Sequence, residues 1–329
     1  MSARQFIHLH NHSQFSLLDG ASKLDDLLVK AAEFGMPAMA VTDHGNLFGA
    51  VKFFDMAVPR GIKPIIGMEA YVAPGDRRDR TTGAEGTQGQ QKKPYYHLVL
   101  LAANQQGYAN LVKLASLAYT EGFYYKPRID KALLAEHAAG LIATSACLGG
   151  EVAQFLMSAN KAKAERAAAE MAEIMGRDNY YLEVQDHGLP GQQTVNEGLI
   201  EISEKLRLPL VASNDCHFLT REDHFAHDVL ICIQTGRTVK DAARMRYTQD
   251  HYFKSPAEMW KLFAHLPEAL ENTLAIAQRC HFNLEKGSYH LPHFQVPEGE
   301  DEESYFRKVV REGFDERMQR WREMEAKGL

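Results

Sequence analysis

The stretch FIHLHNHSQFSLLDG, residues 6–20, places histidines at 8, 10 and 12 and an aspartate at 19. Read as a strand, it puts His8, His10 and His12 on one face, because alternate residues point the same way. Leu9 and Asn11 then face away. Two imidazoles at adjacent same-face positions can grip one metal ion. Three unrelated histidines, one or two of them hydrogen-bonded in a core, give the same pattern. The stretch alone leaves both readings open.

The rest of the chain reads as alternating strands and helices. KLDDLLVKAAEFGM (23–36) repeats apolar residues at threes and fours and closes on Gly35, which predicts an amphipathic helix. Further helices are expected over 46–61, 105–122, 163–176 and 192–207. Strands are expected at 37–45, 63–74, 95–102, 141–150, 179–188 and 208–218, which with the first stretch makes seven. Strands separated by helices imply a parallel sheet. The expected fold is therefore α/β, a distorted seven-stranded (β/α)7 TIM-like barrel with a C-terminal helical extension. Barrels of this kind carry their active sites at the C-terminal strand ends.

Those ends are rich in metal-ligand types. They hold His10 and His12; Asp43 and His44; Glu69; His97; Cys147; Glu183, Asp186 and His187; and Asp215 and His217. Asp215 and His217 repeat the two-residue spacing of His10 and His12. Scattered residues would not collect at one rim, so the metal reading gains. Imidazole, carboxylate and one thiol suit Zn, Mn or Fe better than Mg or Ca. The donors outnumber what one ion needs, so two to three divalent ions are expected, with Glu69 as a bridge.

Composition narrows the classes. The 329 residues are 45% hydrophobic and 24% charged, as in a soluble globular protein. MSARQF lacks a signal-peptide core and no apolar run reaches a membrane span, so no membrane partner is expected and the cytoplasm is the default. Cys147, Cys216, Cys232 and Cys280 show no disulfide or CxxC spacing. A net charge of −6 argues against an autonomous duplex-DNA binder. It leaves room for a metal enzyme acting on phosphates, because bound cations reverse the local field.

HLHNHSQFSLLDG, VTDHGNLFGA, KPIIGMEAYV, HLVLLA, ATSACLGGE and ASNDCHF together resemble the PHP (polymerase and histidinol phosphatase) domain found in bacterial replicative DNA polymerase III alpha subunits. GFYYKPRID (122–130) and the stretch from YFKSPAEMW (252–260) onward are similar to the same subunits. The resemblance implies a trinuclear metal centre held by nine residues. His10, His12, Glu69 and Asp215 would hold one ion, and Glu69, His97 and Cys147 a second. Asp19, His44 and His217 would hold the third. His8 is not a ligand in the resembled pattern and is expected to pack. Glu183, Asp186 and His187 are expected to line the cleft or to hydrogen-bond the ligands, and Asp43 to orient a ligand or cap a strand end.

The implied activity is 3′–5′ exonucleolytic proofreading on the single-stranded 3′ end of a primer. Its partners would be the remainder of the alpha subunit and other replisome subunits. Two alternatives stay open: a small-molecule phosphatase or pyrophosphatase, and a metal-stapled structural module that docks a proofreading partner. Lys126 and Arg128 are expected to contact phosphates, with Tyr124 and Tyr125 stacking on bases. No paired-Asp polymerase motif occurs, so this chain alone is not expected to polymerise DNA. Residues 75–94, Gly-rich and polar, read as a mobile loop. Residues 1–280 are expected to form the phosphoesterase domain. Residues 281–329 are expected to be a linker and a charged helix leading toward a polymerase palm. Ser255, Pro256 and Glu258 predict a capped helix start.

Overall fold

The structure, a computed structural model, describes residues 4–81, 95–285, 287–288 and 291–328. Two compact units divide the chain, Met1–Leu284 and Glu285–Leu329.

The first unit is built on one curled sheet. Its strands are β1 (Ala38–Val41), β2 (Lys63–Val72), β3 (Tyr96–Ala102), β4 (Arg128–Ile129), β5 (Leu141–Thr144), β6 (Tyr180–Val184) and β7 (Leu210–Ala212). Their order is β1-β2-β3-β5-β6-β7, with β4 beside the end of β2. The expected helices form as Leu24–Glu33, Ala50–Ala57, Gln105–Thr120, Lys161–Met175 and Gln192–Leu206, and they cover the sheet with apolar faces. The helix Pro256–Leu262 starts as predicted, with a reciprocal cap between Ser255 and Glu258. A second buried cluster fills the interior, where Ile7, Leu9, Ala40, Ile65, Val99 and Val211 meet Ile276 and Ala277 of the helix Pro267–Arg279.

Two features depart from the regular barrel. First, β3 runs antiparallel to both β2 and β5. Antiparallel neighbours need no helical crossover, and residues 73–81 after β2 contain no helix. This reversal matters for the site, because it brings the start of β3, with His97, to the rim where the parallel strands end.

Second, the histidine stretch is not a regular strand. It spans the gap between β1 and the residues after β7: the Ala40 and Thr42 amides donate to the carbonyls of His8 and Asn11, both at 2.9 Å. On the other side the His12 amide donates to Cys216 O at 2.8 Å, and Asn11 bridges to Cys216. Side chains replace the missing ladder bonds. Asn11 Nδ2 donates to His8 O and Ala40 O, and the Asn11 amide donates to Thr42 Oγ1. The backbone is satisfied without repeating strand geometry. His8 packs between Phe6 and Phe253 and is not turned to the other histidines.

Of the expected loop at 75–94, residues 82–94 lie outside the described residues. Its first part is anchored: Arg77 pairs with Glu121 at 2.5 Å and with Asp130 at 3.0 Å. The second unit contains the helix Glu302–Ala326, capped by Asp301, whose side chain accepts from the Ser304 amide at 2.7 Å. No helix among the described residues is long and apolar enough to cross a membrane.

Candidate metal centre

Nine side chains from seven segments converge at the rim: His10 and His12, Asp19, His44, Glu69, His97, Cys147, and Asp215 and His217. Glu69, on β2, is the hub. Its Oε1 lies 2.9 Å from His97 Nδ1, 3.4 Å from His10 Nε2 and 3.7 Å from Cys147 Sγ. Its Oε2 lies 2.6 Å from His44 Nδ1 and 3.6 Å from His12 Nε2. Asp215 Oδ1 lies 3.2 Å from His10 Nε2 and 3.1 Å from His12 Nε2. Asp19 reaches His44 Nε2 at 2.8 Å and His217 Nε2 at 3.9 Å.

Local backbone geometry aims several of these groups. Leu18 (φ 60°), Ala146 (φ 60°) and Asp215 (φ 41°) take left-handed conformations immediately before or at a site residue. Non-glycine residues there cost of order 1 kcal/mol and persist only where the surroundings hold them. Gly149 lets Cys147 and His97 approach: a Cβ there would sit 3.0 Å from His97 Nδ1.

Several of these donors lack a protein partner. His44 Nδ1 and Nε2, Glu69 Oε2, Asp215 Oδ1 and His217 Nε2 are buried without a hydrogen bond. The His44 nitrogens sit close to two carboxylates, but not in hydrogen-bonding orientation. Buried polar atoms are almost always paired, so five orphans in one cluster call for a further species. Three sets of ligand atoms, His12–His44–His217, His10–His12–Glu69 and His44–Glu69–His97, each lie within 4.8 Å of one another. Imidazole, carboxylate and thiol at this spacing fit divalent ions.

Electrostatics agree with an acceptor-rich cage. Burial opposes charge on Glu69 and Asp215, yet neighbouring imidazoles outweigh it and hold both carboxyls well below the usual range. Burial would lower His44 too, but Glu69 and Asp19 raise it to about 10. Burial, then the charges of His44 and His217, pushes His12 down to about 3. Burial and the Glu69 charge push the Cys147 thiol up. Without ions the cage therefore keeps its charge balance by holding protons, which ion binding would displace.

Residues 8–187 match the PHP domain family. The chain belongs to the PHP family. Among curated relatives, the DNA polymerase III subunit alpha of Treponema pallidum is 46% identical over 319 residues, covering 96% of this chain and 27% of the relative. That of Thermus aquaticus is 48% identical over 321 residues, covering 94% and 26%. The chain thus spans about a quarter of the length of these relatives. A solved amidohydrolase from Chromobacterium violaceum aligns over 64% of this chain and 87% of its own at 17% identity, with a TM-score of 0.40, too remote to carry a functional argument.

Around the PHP cluster, a layer of hydrogen bonds orients the imidazoles. Glu183, on β6, accepts from His10 Nδ1 at 2.7 Å, which turns His10 Nε2 toward Glu69 and Asp215. Glu183 is held in turn by Thr144, Ser213 and Gln185. His12 Nδ1 meets Ser16 Oγ at 2.9 Å, and Ser16 donates to Asp43 at 2.8 Å, so Asp43 reaches a histidine through a serine. Fixing the far nitrogen sets the tautomer and direction of the near one. Ser16, Thr144, Ser213 and Tyr247, whose hydroxyl meets Asp19 at 3.2 Å, were not singled out from the sequence. Serines, threonines and tyrosines are too common, and carry no spacing rule, to be found that way.

Asp186 and His187 do not line the cluster. Asp186 is exposed and caps the Gly188 amide. His187 is buried, bonded to Asn214 O and Gln192, and stacked on His251 at 3.8 Å. Burial lowers its pKa from 6.5 to about 4. The folded protein therefore holds it neutral, a contribution complete above pH 6.5 and lost as pH falls toward 4, worth about 3 kcal/mol. In His187→Asn, the acid-side loss of stability between pH 7.5 and 4.5, read from urea midpoints, should shrink by up to that amount. An unchanged pH slope would show that His187 is not held neutral.

The two expected phosphate contacts, Lys126 and Arg128, differ in burial, and Lys126 is the less buried. It is half-buried, with Nζ 5.4 Å from the Tyr71 ring centre, and Tyr71 stacks on His44. Arg128 is fully buried. Its Nε donates to Gly122 O at 3.1 Å and its Nη2 to Arg77 O and Asp79 O at 2.8 and 2.7 Å. Those bonds commit its guanidinium to the backbone, which corrects the expectation of a phosphate contact. Tyr124 lies against the Arg128 guanidinium, while Tyr125 is 72% exposed.

Proposed function

We propose that this chain is a metal-dependent phosphodiesterase, the PHP-type 3′–5′ exonuclease domain of a replicative polymerase alpha subunit. The observation that carries the reading is the set of orphaned buried donors on His44, Glu69, Asp215 and His217 within one cluster. His10, His12, Glu69 and Asp215 would hold one ion; Glu69, His97 and Cys147 a second; Asp19, His44 and His217 a third. Bound zinc, manganese or iron ions supply Lewis acidity toward phosphoryl oxygens and make water a nucleophile at neutral pH. Glu183 and Ser16 fix the two histidines of the first segment so that the cage need not reorganise. Lys126 neutralises the strand's phosphates at the rim, and the exposed Tyr125 ring offers a face to a base. Residues 1–280 form the phosphoesterase domain, and 281–329 lead toward the polymerase body. Its partners are the single-stranded primer 3′ end, the rest of the alpha subunit and other replisome subunits, all in the cytoplasm.

A second reading is hydrolysis of small phosphate monoesters. It is favoured by depth: His10, Glu69 and His217 are each 1% exposed. The metal-loaded chain should hydrolyse thymidine 5′-(p-nitrophenyl phosphate), a diester, faster than p-nitrophenyl phosphate. Faster monoester turnover would favour the second reading. Lys126→Ala should leave stability within about 0.5 kcal/mol of wild type. It should raise KM for an oligonucleotide and lower the salt dependence of binding by about one ion. An unchanged salt slope would remove Lys126 from the phosphate path.

A further inference from the structure

Asp19 is gripped from outside the matched PHP stretch. His227, on the helix His224–Thr235, bonds the Asp19 carbonyl at 2.8 Å. Tyr247 donates its hydroxyl to Asp19 Oδ1 at 3.2 Å, and its ring lies 4.4 Å from that of His217. Tyr247 sits on residues 236–252, which contain neither helix nor strand. Such a segment would wander unless pinned, and it is pinned on both sides of Tyr247. Arg244 makes a two-pronged pair with Asp228 at 2.5 and 2.6 Å, and its side chain is 4% exposed. His224 bonds Tyr247 O at 3.0 Å. Beyond Tyr247, Asn214 donates to Asp250 O and Tyr252 O, and the His217 amide donates to His251 O at 2.8 Å.

We infer that residues 236–252 form a strap over the metal centre, with Tyr247 as the positioning residue for Asp19 and the Arg244–Asp228 pair as its latch. The inference rests on the assignment of Asp19, His44 and His217 to one ion. The Tyr247 hydroxyl occupies Asp19 Oδ1 and leaves Oδ2 turned toward His44, 2.8 Å away. A carboxylate fixed in this way presents one chosen oxygen, and without the phenol Oδ1 loses that fixed partner. The latch acts at a distance: Arg244 and Asp228 touch no proposed ligand, yet they hold the segment that carries Tyr247. A bidentate guanidinium–carboxylate pair suits that task because its two parallel bonds fix orientation as well as distance.

The test counts ions rather than turnover. Metal-free full chain is titrated with Zn²⁺ against a chromogenic chelator, for wild type, Tyr247→Phe and Asp228→Asn. Tyr247→Phe removes one oxygen and keeps the ring, so it should fold. It should weaken one ion of the set by about 10–100-fold. Asp228→Asn should weaken the same ion. A Co²⁺ titration supplies an independent readout: the thiolate-to-cobalt absorption of the Cys147 site should be unchanged in both variants. Wild-type affinity for every ion in Tyr247→Phe would overturn the strap. A uniform loss that includes the Cys147 signal would overturn it too, in favour of a general structural role. A wild-type chain that binds no ion would instead overturn the metal assignment beneath it.

Discussion

Glu69→Gln removes more than one ion at once. Elemental analysis should find two to three ions per wild-type chain and no more than one in the variant, with hydrolysis reduced by well over about 100-fold. The size of the effect follows from the hub position: one carboxylate lies within 3.7 Å of His10, His12, His44, His97 and Cys147. Neither of the other two carboxylates, Asp19 and Asp215, lies so close to so many of the proposed ligands. Gln keeps the volume and loses the charge, so packing is not at issue. The metal-free protein should register the same change in its pH dependence. Burial opposes charge on His44, and Glu69 and Asp19 overcome it to raise His44 to about 10. Stability from that pair is complete below pH 6.5 and is lost as pH rises through 10, so in Glu69→Gln the alkaline loss should be smaller. Full ion content in the variant would show that Glu69 is not shared between ions.

Arg128→Ala should be the most damaging change outside the cluster, lowering stability by about 3–5 kcal/mol in chemical denaturation. The side chain is fully buried and ties together three backbone carbonyls from two separate segments. Its removal takes the guanidinium bonds from the Arg77, Asp79 and Gly122 carbonyls, leaving Gly122 O only the Arg128 amide, and opens a cavity. It also loosens the turn 122–128, since the guanidinium bonds Gly122 O and lies against the Tyr124 ring. Lys126→Ala two residues away should do none of this. Equal stability for the two variants would contradict the structural role assigned to Arg128.

That contrast shows what a sequence hides. In YYKPRID the lysine and the arginine read alike, as cations in a polar turn. Only the paths of residues 77–79 and 122, which bring carbonyls around one guanidinium, separate them. The reversed β3 was hidden for a similar reason: an apolar run shows that a strand forms, not which way it points. The irregular backbone of residues 6–12 depends on Asn11 and Thr42 bonding across the gap, a tertiary event. Eight of the nine converging residues were legible because metal chemistry restricts donor types, and because donors recur at strand ends or at the two-residue spacing of HNH and DCH. Asp19, and the choice of these nine over Asp43, Glu183, Asp186 and His187, came only with the resemblance to the PHP domain. Orienting groups obey no such restriction. Glu183 stood out as a carboxylate at a strand end, whereas Ser16 and Tyr247 did not.

The decisive experiment gives the metal-loaded chain a 5′-labelled single-stranded oligonucleotide and resolves the products by length. A ladder shortening from the 3′ end, absent in His12→Ala, is the expected result. An oligonucleotide left intact by protein shown to carry its ions would contradict the exonuclease reading.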